Sequence, residues 1–336
     1  MPQQCRLEAR CMRALLFLLG LSWWWPHAMA WPASHPTELS RPLLAPSRWQ
    51  ESRWPTTPGE ADLPVLHRGA LLPPLRYRVV VLPGSGCAGM GAIAPRYFAG
   101  LLHAEVWVLH KPGIEVGHMT PPTQCAPAFV QTDALAWWHR QAQAALEGWW
   151  QRTAHSPTAT LPTVLVGISE GAELVPALAP VVPGMAAMVL LSAPGLDPRE
   201  TAVLQAQRLG RWPEWQALER AQASPLPDHT LYQGRSLRYW RDLWHWPLEQ
   251  PLRNSPWPLL QVWGDADALV PAQAFALWAQ RMRQRPAPWC VRQLPGADHG
   301  LQHGAQDGVQ QLWHWLEQWA RQPLAGLCAP TTTPAG

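Results

Sequence analysis

Three side chains in this 336-residue sequence have the types and surroundings of a nucleophile, a base and an acid: Ser169, His299 and Asp267. A serine hydroxyl attacks a carbonyl only when a base takes its proton, and the base needs a carboxylate to fix its tautomer and stabilise its charged form. Ser169 lies at the centre of TVLVGISEGAELVPA, residues 163–177, where an apolar run meets G-x-S-x-G and then a helix-like segment. That order predicts a strand, a tight turn and a helix, with the serine at the tip of the turn. Asp267 lies in GDADALVP and His299 in PGADHG, each just after an apolar run.

Six apolar runs are spaced widely enough to be strands of one sheet: 78–82, 106–109, 163–166, 188–191, 259–263 and 289–294. Helix-like segments separate most of them. The clearest is 132–152, where Leu135, Trp138, Ala142, Ala145 and Trp149 recur at three- and four-residue steps, and Thr132 and Asp133 suit its start. Strands alternating with helices predict an α/β fold, a mostly parallel central sheet flanked by helices on both faces. In such sheets ligands meet the carboxyl edge of the strands, and all three candidate residues fall on turns at that edge. Residues 195–258, between the fourth and fifth runs, are too many for one crossover helix. They carry Trp212, Trp215, Tyr232, Tyr239, Trp240, Trp244, Trp246 and Trp257.

On GISEG, on the acid-loop pattern of Gly264, Asp267, Val270 and Pro271, and on the histidine turn GADHG, the chain resembles the α/β-hydrolase superfamily from about residue 78 to 322. The resemblance implies a triad of Ser169, Asp267 and His299. It favours Asp267 over Asp265 by its offset from Gly264 and from the Val-Pro pair, and leaves Asp265 to order the turn. It also implies an oxyanion hole, with Ser85 in LPGSGCAGMG as one N–H donor, Gly86 as the alternative by one position, and Glu170 as the other donor. Pro83 stands where the superfamily often has histidine. The insertion at 195–258 would be a helical cap whose aromatics either pack on the core or shape an apolar pocket. The implied reaction is cleavage of a carboxylic ester through an acyl-enzyme, which needs no cofactor. The alternatives are a serine peptidase or amidase on the same fold, and a non-catalytic binding protein with a relic site.

Other histidines give no case for a metal. His303 is four residues beyond His299, but a zinc peptidase motif needs Glu directly after the first His, where this chain has Gly300; His303 then reads as a solvated helix start. His110 and His118 are spaced irregularly and read as loop residues near the mouth of the cleft.

Residues 1–30 read as a cleavable signal peptide. Arg6, Arg10 and Arg13 precede the apolar run ALLFLLGLSWWW, and Ala28-Met29-Ala30 ends it with a cut after Ala30. The mature chain is thereby expected in the periplasm or outside the cell, with no membrane span. Removing those thirty residues takes three arginines and Glu8 from 26 Lys+Arg and 23 Asp+Glu, which leaves a charge near neutrality and no case for nucleic acid. The partner implied is a small ester or acyl substrate.

Residues 31–74, with nine prolines, read as an extended arm holding at most one or two short edge strands, 64–67 foremost, and anchored by Trp31, Trp49 and Trp54. The hydrolase domain is expected over 75–322, with a C-terminal tail at 323–336. Past residue 30 four cysteines remain, and an even number in an exported chain predicts two disulfides with three possible pairings. The placement favours Cys87 with Cys125, both after neighbouring strands on the site's side of the sheet. Cys290 and Cys328 then bracket the last strand and helix.

Overall fold

The computed structural model describes residues 48–156 and 158–328. The expected signal peptide, residues 31–47 of the arm and residues 329–336 of the tail lie outside the described residues.

All six apolar runs fall in one eight-stranded sheet. In chain order its strands are β1 (Gln50–Trp54), β2 (Leu63–Arg68), β3 (Tyr77–Leu82), β4 (Ala104–Leu109), β5 (Thr163–Ile168) and β6 (Met185–Leu191), followed, after a small hairpin of β7 (Leu231–Tyr232) and β8 (Arg235–Ser236), by β9 (Leu259–Gly264) and β10 (Trp289–Leu294). The spatial order is β1-β2-β4-β3-β5-β6-β9-β10. β1 with β2 and β2 with β4 are antiparallel, and every other neighbouring pair is parallel.

The central strands are apolar on both faces because helices cover both. Val80 and Leu82 of β3 join the core cluster of Trp138, Ala142 and Ala145 from the helix Leu135–Thr153. Val79 and Val81 join the opposite cluster with Leu312, Trp313 and Leu316. The period-two alternation of a strand thus divides one valine run between two cores.

Among the described residues the α-helices are α1 (Ala94–Tyr97), α2 (Pro127–Thr132), α3 (Leu135–Thr153), α4 (Val175–Leu178), α5 (Pro198–Arg208), α6 (Trp212–Gln222), α7 (Leu237–His245), α8 (Glu249–Asn254), α9 (Ala272–Arg281) and α10 (Gly308–Arg321). From α5 to α8, with the β7–β8 hairpin, the chain lies between β6 and β9 and makes up the 195–258 insertion. Its aromatics pack on the core: Trp215, Tyr239, Trp240 and Trp244 belong to the same cluster as Leu82 and Trp138, Trp215 stacks on Trp244 with ring centroids 4.6 Å apart, and Trp240 donates from Nε1 to the Tyr232 carbonyl at 2.8 Å.

Three local expectations are corrected. The sheet begins inside the proline-rich arm, and β2 is an interior strand; the edge is β1. Proline is tolerated because Pro64 stands just beyond the β2–β4 ladder, which starts at Val65, while its carbonyl accepts from His110 N–H at 3.0 Å. Trp54 at the end of β1 stacks on Trp149 of α3, with centroids 5.4 Å apart, and so fixes the edge strand to the core. Thr132 and Asp133 do not begin the long helix: Thr132 ends α2, and Asp133 separates α2 from α3. His303 lies in β11 (Gln302–His303), which pairs with β12 (Gln306–Asp307) ahead of α10, so it starts no helix.

Candidate active site

β5 ends directly beneath Ser169, and the turn that follows is sterically demanding. Ser169 has φ +50, a left-handed conformation that a non-glycine residue holds only when its surroundings enforce it. The two glycines of the motif permit this turn. A Cβ on Gly167 would lie 2.4 Å from Ala172 Cα, and one on Gly171 would lie 2.1 Å from the Leu82 carbonyl oxygen. Neither position can carry a side chain, so the motif records backbone crowding as well as chemistry.

Asp267 and His299 follow the ends of β9 and β10, which pair in parallel and in register from Leu259 with Trp289 to Gly264 with Leu294. His299 Nδ1 donates to Asp267 Oδ2 at 2.7 Å, which leaves Nε2 to accept from Ser169 Oγ at 3.1 Å. Asp267 is buried, and its other oxygen, Oδ1, accepts from the N–H groups of Leu269 at 2.7 Å and Val270 at 3.0 Å. These bonds fix the carboxylate's direction. Asp265, two residues earlier, is occupied elsewhere, accepting from Gly296 N–H at 2.5 Å and from Gln293 Nε2 at 3.2 Å. Ser192 at the end of β6 donates from Oγ to the His299 carbonyl at 2.7 Å and so ties down the histidine turn. Nothing in its sequence surroundings marks Ser192 for this contact.

The glycine-rich loop after β3 packs against the same turn. A Cβ on Gly84 would lie 3.6 Å from Ser169 Cβ, and half-buried Ser85 is the next residue. The loop is pinned by a disulfide and by hydrogen bonds. Cys87 and Cys125 form a disulfide with Cα atoms 5.6 Å apart, and Met90 N–H donates to His110 Nε2 at 3.0 Å. His110 is fully buried and does not line the cleft mouth; burial pushes its pKa down to about 4, so the ring is neutral and free to accept that bond. His118 is an exposed partner of Glu115. A second disulfide joins Cys290 in β10 to Cys328, with Cα atoms 5.4 Å apart.

Glu170, the residue after Ser169, carries its side chain away from the triad into a buried ionic cluster. Lys111, in the loop after β4, contacts both Glu170 Oε1 and Asp133 Oδ1, the latter at 2.8 Å. Arg235 of β8 pairs with Asp133 Oδ2, and Tyr239 of α7 donates to Glu170 Oε2 at 2.6 Å. Burial acts to raise the Glu170 pKa, but the charges of Lys111 and Arg235, with hydrogen bonds from Lys111 and Tyr239, hold it below the ordinary value. Of this cluster the sequence gives a place in the candidate site to Glu170 alone; it reads Asp133 as a helix start and Tyr239 as one of the insertion's aromatics. The one further signal was compositional, since Lys111 is the only lysine in a chain that otherwise uses arginine.

No protein-family model and no curated sequence matches the chain. Solved structures do. A lipase in its open form is 13% identical with a TM-score of 0.55, covering 82% of this chain and 100% of that one. The esterase domain of a Rhodothermus marinus protein is 19% identical with a TM-score of 0.51, covering 82% and 98%. An acylaminoacyl peptidase from Pyrococcus horikoshii is 11% identical with a TM-score of 0.51, covering 83% of this chain and 41% of the peptidase. At such identities the likeness concerns architecture alone: the chain has the α/β-hydrolase fold.

Proposed function

We propose that this protein is a serine hydrolase that cleaves a carboxylic ester by way of an acyl-enzyme. The observation that carries this reading is the continuous hydrogen-bonded order Ser169, His299, Asp267 across three strand-end turns. His299 as neutral imidazole takes the Ser169 proton, Oγ attacks the ester carbonyl, and Asp267 stabilises the imidazolium that forms. The N–H groups of Ser85 and Glu170 receive the developing oxyanion. His299 then protonates the departing alcohol, and water repeats the cycle on the acyl group. Esterase and lipase structures on the same fold agree with this substrate class.

Export follows from the basic, apolar and small-residue order of residues 1–30, and two disulfides fit an oxidising compartment. Among the described residues no helix is long and apolar enough to cross a membrane. The test is covalent labelling of the mature chain by a fluorophosphonate, with peptide mapping and Ser169→Ala as control. Labelling at Ser169 with turnover of an aryl ester is expected; a folded parent protein that neither labels nor turns over an ester would end the assignment. Faster cleavage of an aminoacyl anilide than of the ester would move the substrate class to amides.

A further inference from the structure

Resting on the catalytic reading above, we propose that the cap is latched to the nucleophile turn through the Glu170 side chain, with Lys111 and Tyr239 as positioning residues for the Glu170 N–H.

The cluster is a closed circuit. Glu170 meets Lys111, Lys111 meets Asp133, Asp133 meets Arg235, the Arg235 guanidinium carbon lies 4.6 Å from the centre of the Tyr239 ring, and the Tyr239 hydroxyl returns to Glu170. Its members come from four segments: the loop after β4, the α2–α3 junction, the nucleophile turn, and the cap from β8 into α7. All five are buried, none more than 8% exposed. Two cations face two carboxylates, so the circuit is neutral and attracts no charged ligand. A turn-of-helix position would favour a carboxylate in solvent, but this one has left solvent.

Stability does not explain such an arrangement. Burying four charges carries a desolvation cost that apolar side chains of similar volume avoid. What the circuit supplies is direction. Both Glu170 oxygens are held, one by the compact Lys111 ammonium, which lies 5.2 Å from the centre of the Trp138 ring, and one by a tyrosine of the cap. The ammonium contacts a carboxylate on each side as a point charge, a task to which a planar guanidinium fork is poorly suited. Holding the carboxylate holds the backbone of the residue whose N–H faces the oxyanion. The β8–α7 part of the cap therefore stays fixed over the turn, and substrate enters without displacing it.

The experiment is steady-state turnover of an aryl ester by the mature chain and its Tyr239→Phe and Lys111→Met variants, with Ser169→Ala as control and thermal melts to establish folding. Both variants are expected to lower kcat by roughly tenfold or more while KM stays within about twofold, and to slow fluorophosphonate labelling of Ser169 by a similar factor, because an oxyanion donor is displaced and substrate binding is not. A structural role alone would change the melting temperature and leave the kinetics of the folded fraction as they were. Should Lys111→Met fail to fold, Tyr239→Phe, which deletes one oxygen, decides. Folded Tyr239→Phe with kcat and labelling within about twofold of the parent overturns the latch. Full turnover by Ser169→Ala would instead remove the catalytic reading and the latch with it, an outcome distinct from the former.

Discussion

Ser169 stands between two polar clusters of opposite character. On one side the His299 side chain is 24% exposed, and its partners form a single file of hydrogen bonds. On the other side Lys111, Asp133, Glu170, Arg235 and Tyr239 are sealed from solvent and bonded into a ring. In the proposed reaction the first cluster changes its charge, which fits an imidazole with access to water held by a buried carboxylate. The second is balanced as it stands and has no charge to move. Charge that migrates is left near solvent, and charge that positions is enclosed.

That contrast can be broken at several points. Asp267→Asn should lower kcat by roughly 10³- to 10⁴-fold on an aryl ester, because the amide favours the wrong histidine tautomer. Its folding should be close to that of the parent, read by thermal melts. In the enclosed cluster the fall in kcat is joined by a loss of stability: Lys111→Met leaves Glu170 and Asp133 sharing one cation and should cost about 3–5 kcal/mol in urea unfolding, whereas His299→Ala should cost less than about 1 kcal/mol. Reduction should lower stability by about 2–4 kcal/mol for each bridge, since each closes a span of 38 residues; differential scanning calorimetry with and without reductant, on Cys→Ser variants at 87 and 290, separates the two.

His110 supplies a pH test. Burial depresses its pKa to about 4, below the ordinary value of about 6.5, so the unfolded chain takes up the proton first on acidification. Its contribution is complete above pH 6.5 and is lost as the pH falls toward 4, by roughly 2 kcal/mol at pH 5. Urea midpoints at pH 7 and pH 5 should converge in His110→Gln. The smallest effect should come from Asp265→Asn, which loosens the β9 turn and should change kcat no more than a few-fold; a loss comparable to that of Asp267→Asn would exchange the two acids.

Much of the framework was legible because it depends on short-range order. β3, β5 and β9 announce themselves as apolar runs, since strands covered on both faces need no polar alternation. Gly167 and Gly171 stand where the backbone leaves no room for Cβ, so the nucleophile turn is written in residue types. β1 and β2 are harder to read, because proline argues against a strand until it is known that Pro64 stands just outside the β2–β4 ladder. Asp133 looked like a helix start because its local surroundings suit one; its partners, Lys111 and Arg235, are 22 and 102 positions away.

The division between chain and fold follows from distance along the sequence. Strand, turn and helix around Ser169, the acid and histidine turns, and the division of valines between two cores depend on neighbouring residues and period-two or 3.6-residue repeats, so residue types alone carry them. The tie from Ser192 to the histidine turn, the neutral buried His110 and the ring that joins Glu170 to the 195–258 insertion depend on groups far apart in sequence. Their pairing is set by how the sheet brings loops to one edge. Burial then gives those pairings their force, because a polar group removed from water must find a partner within about 3 Å, and only packing specifies which one is there.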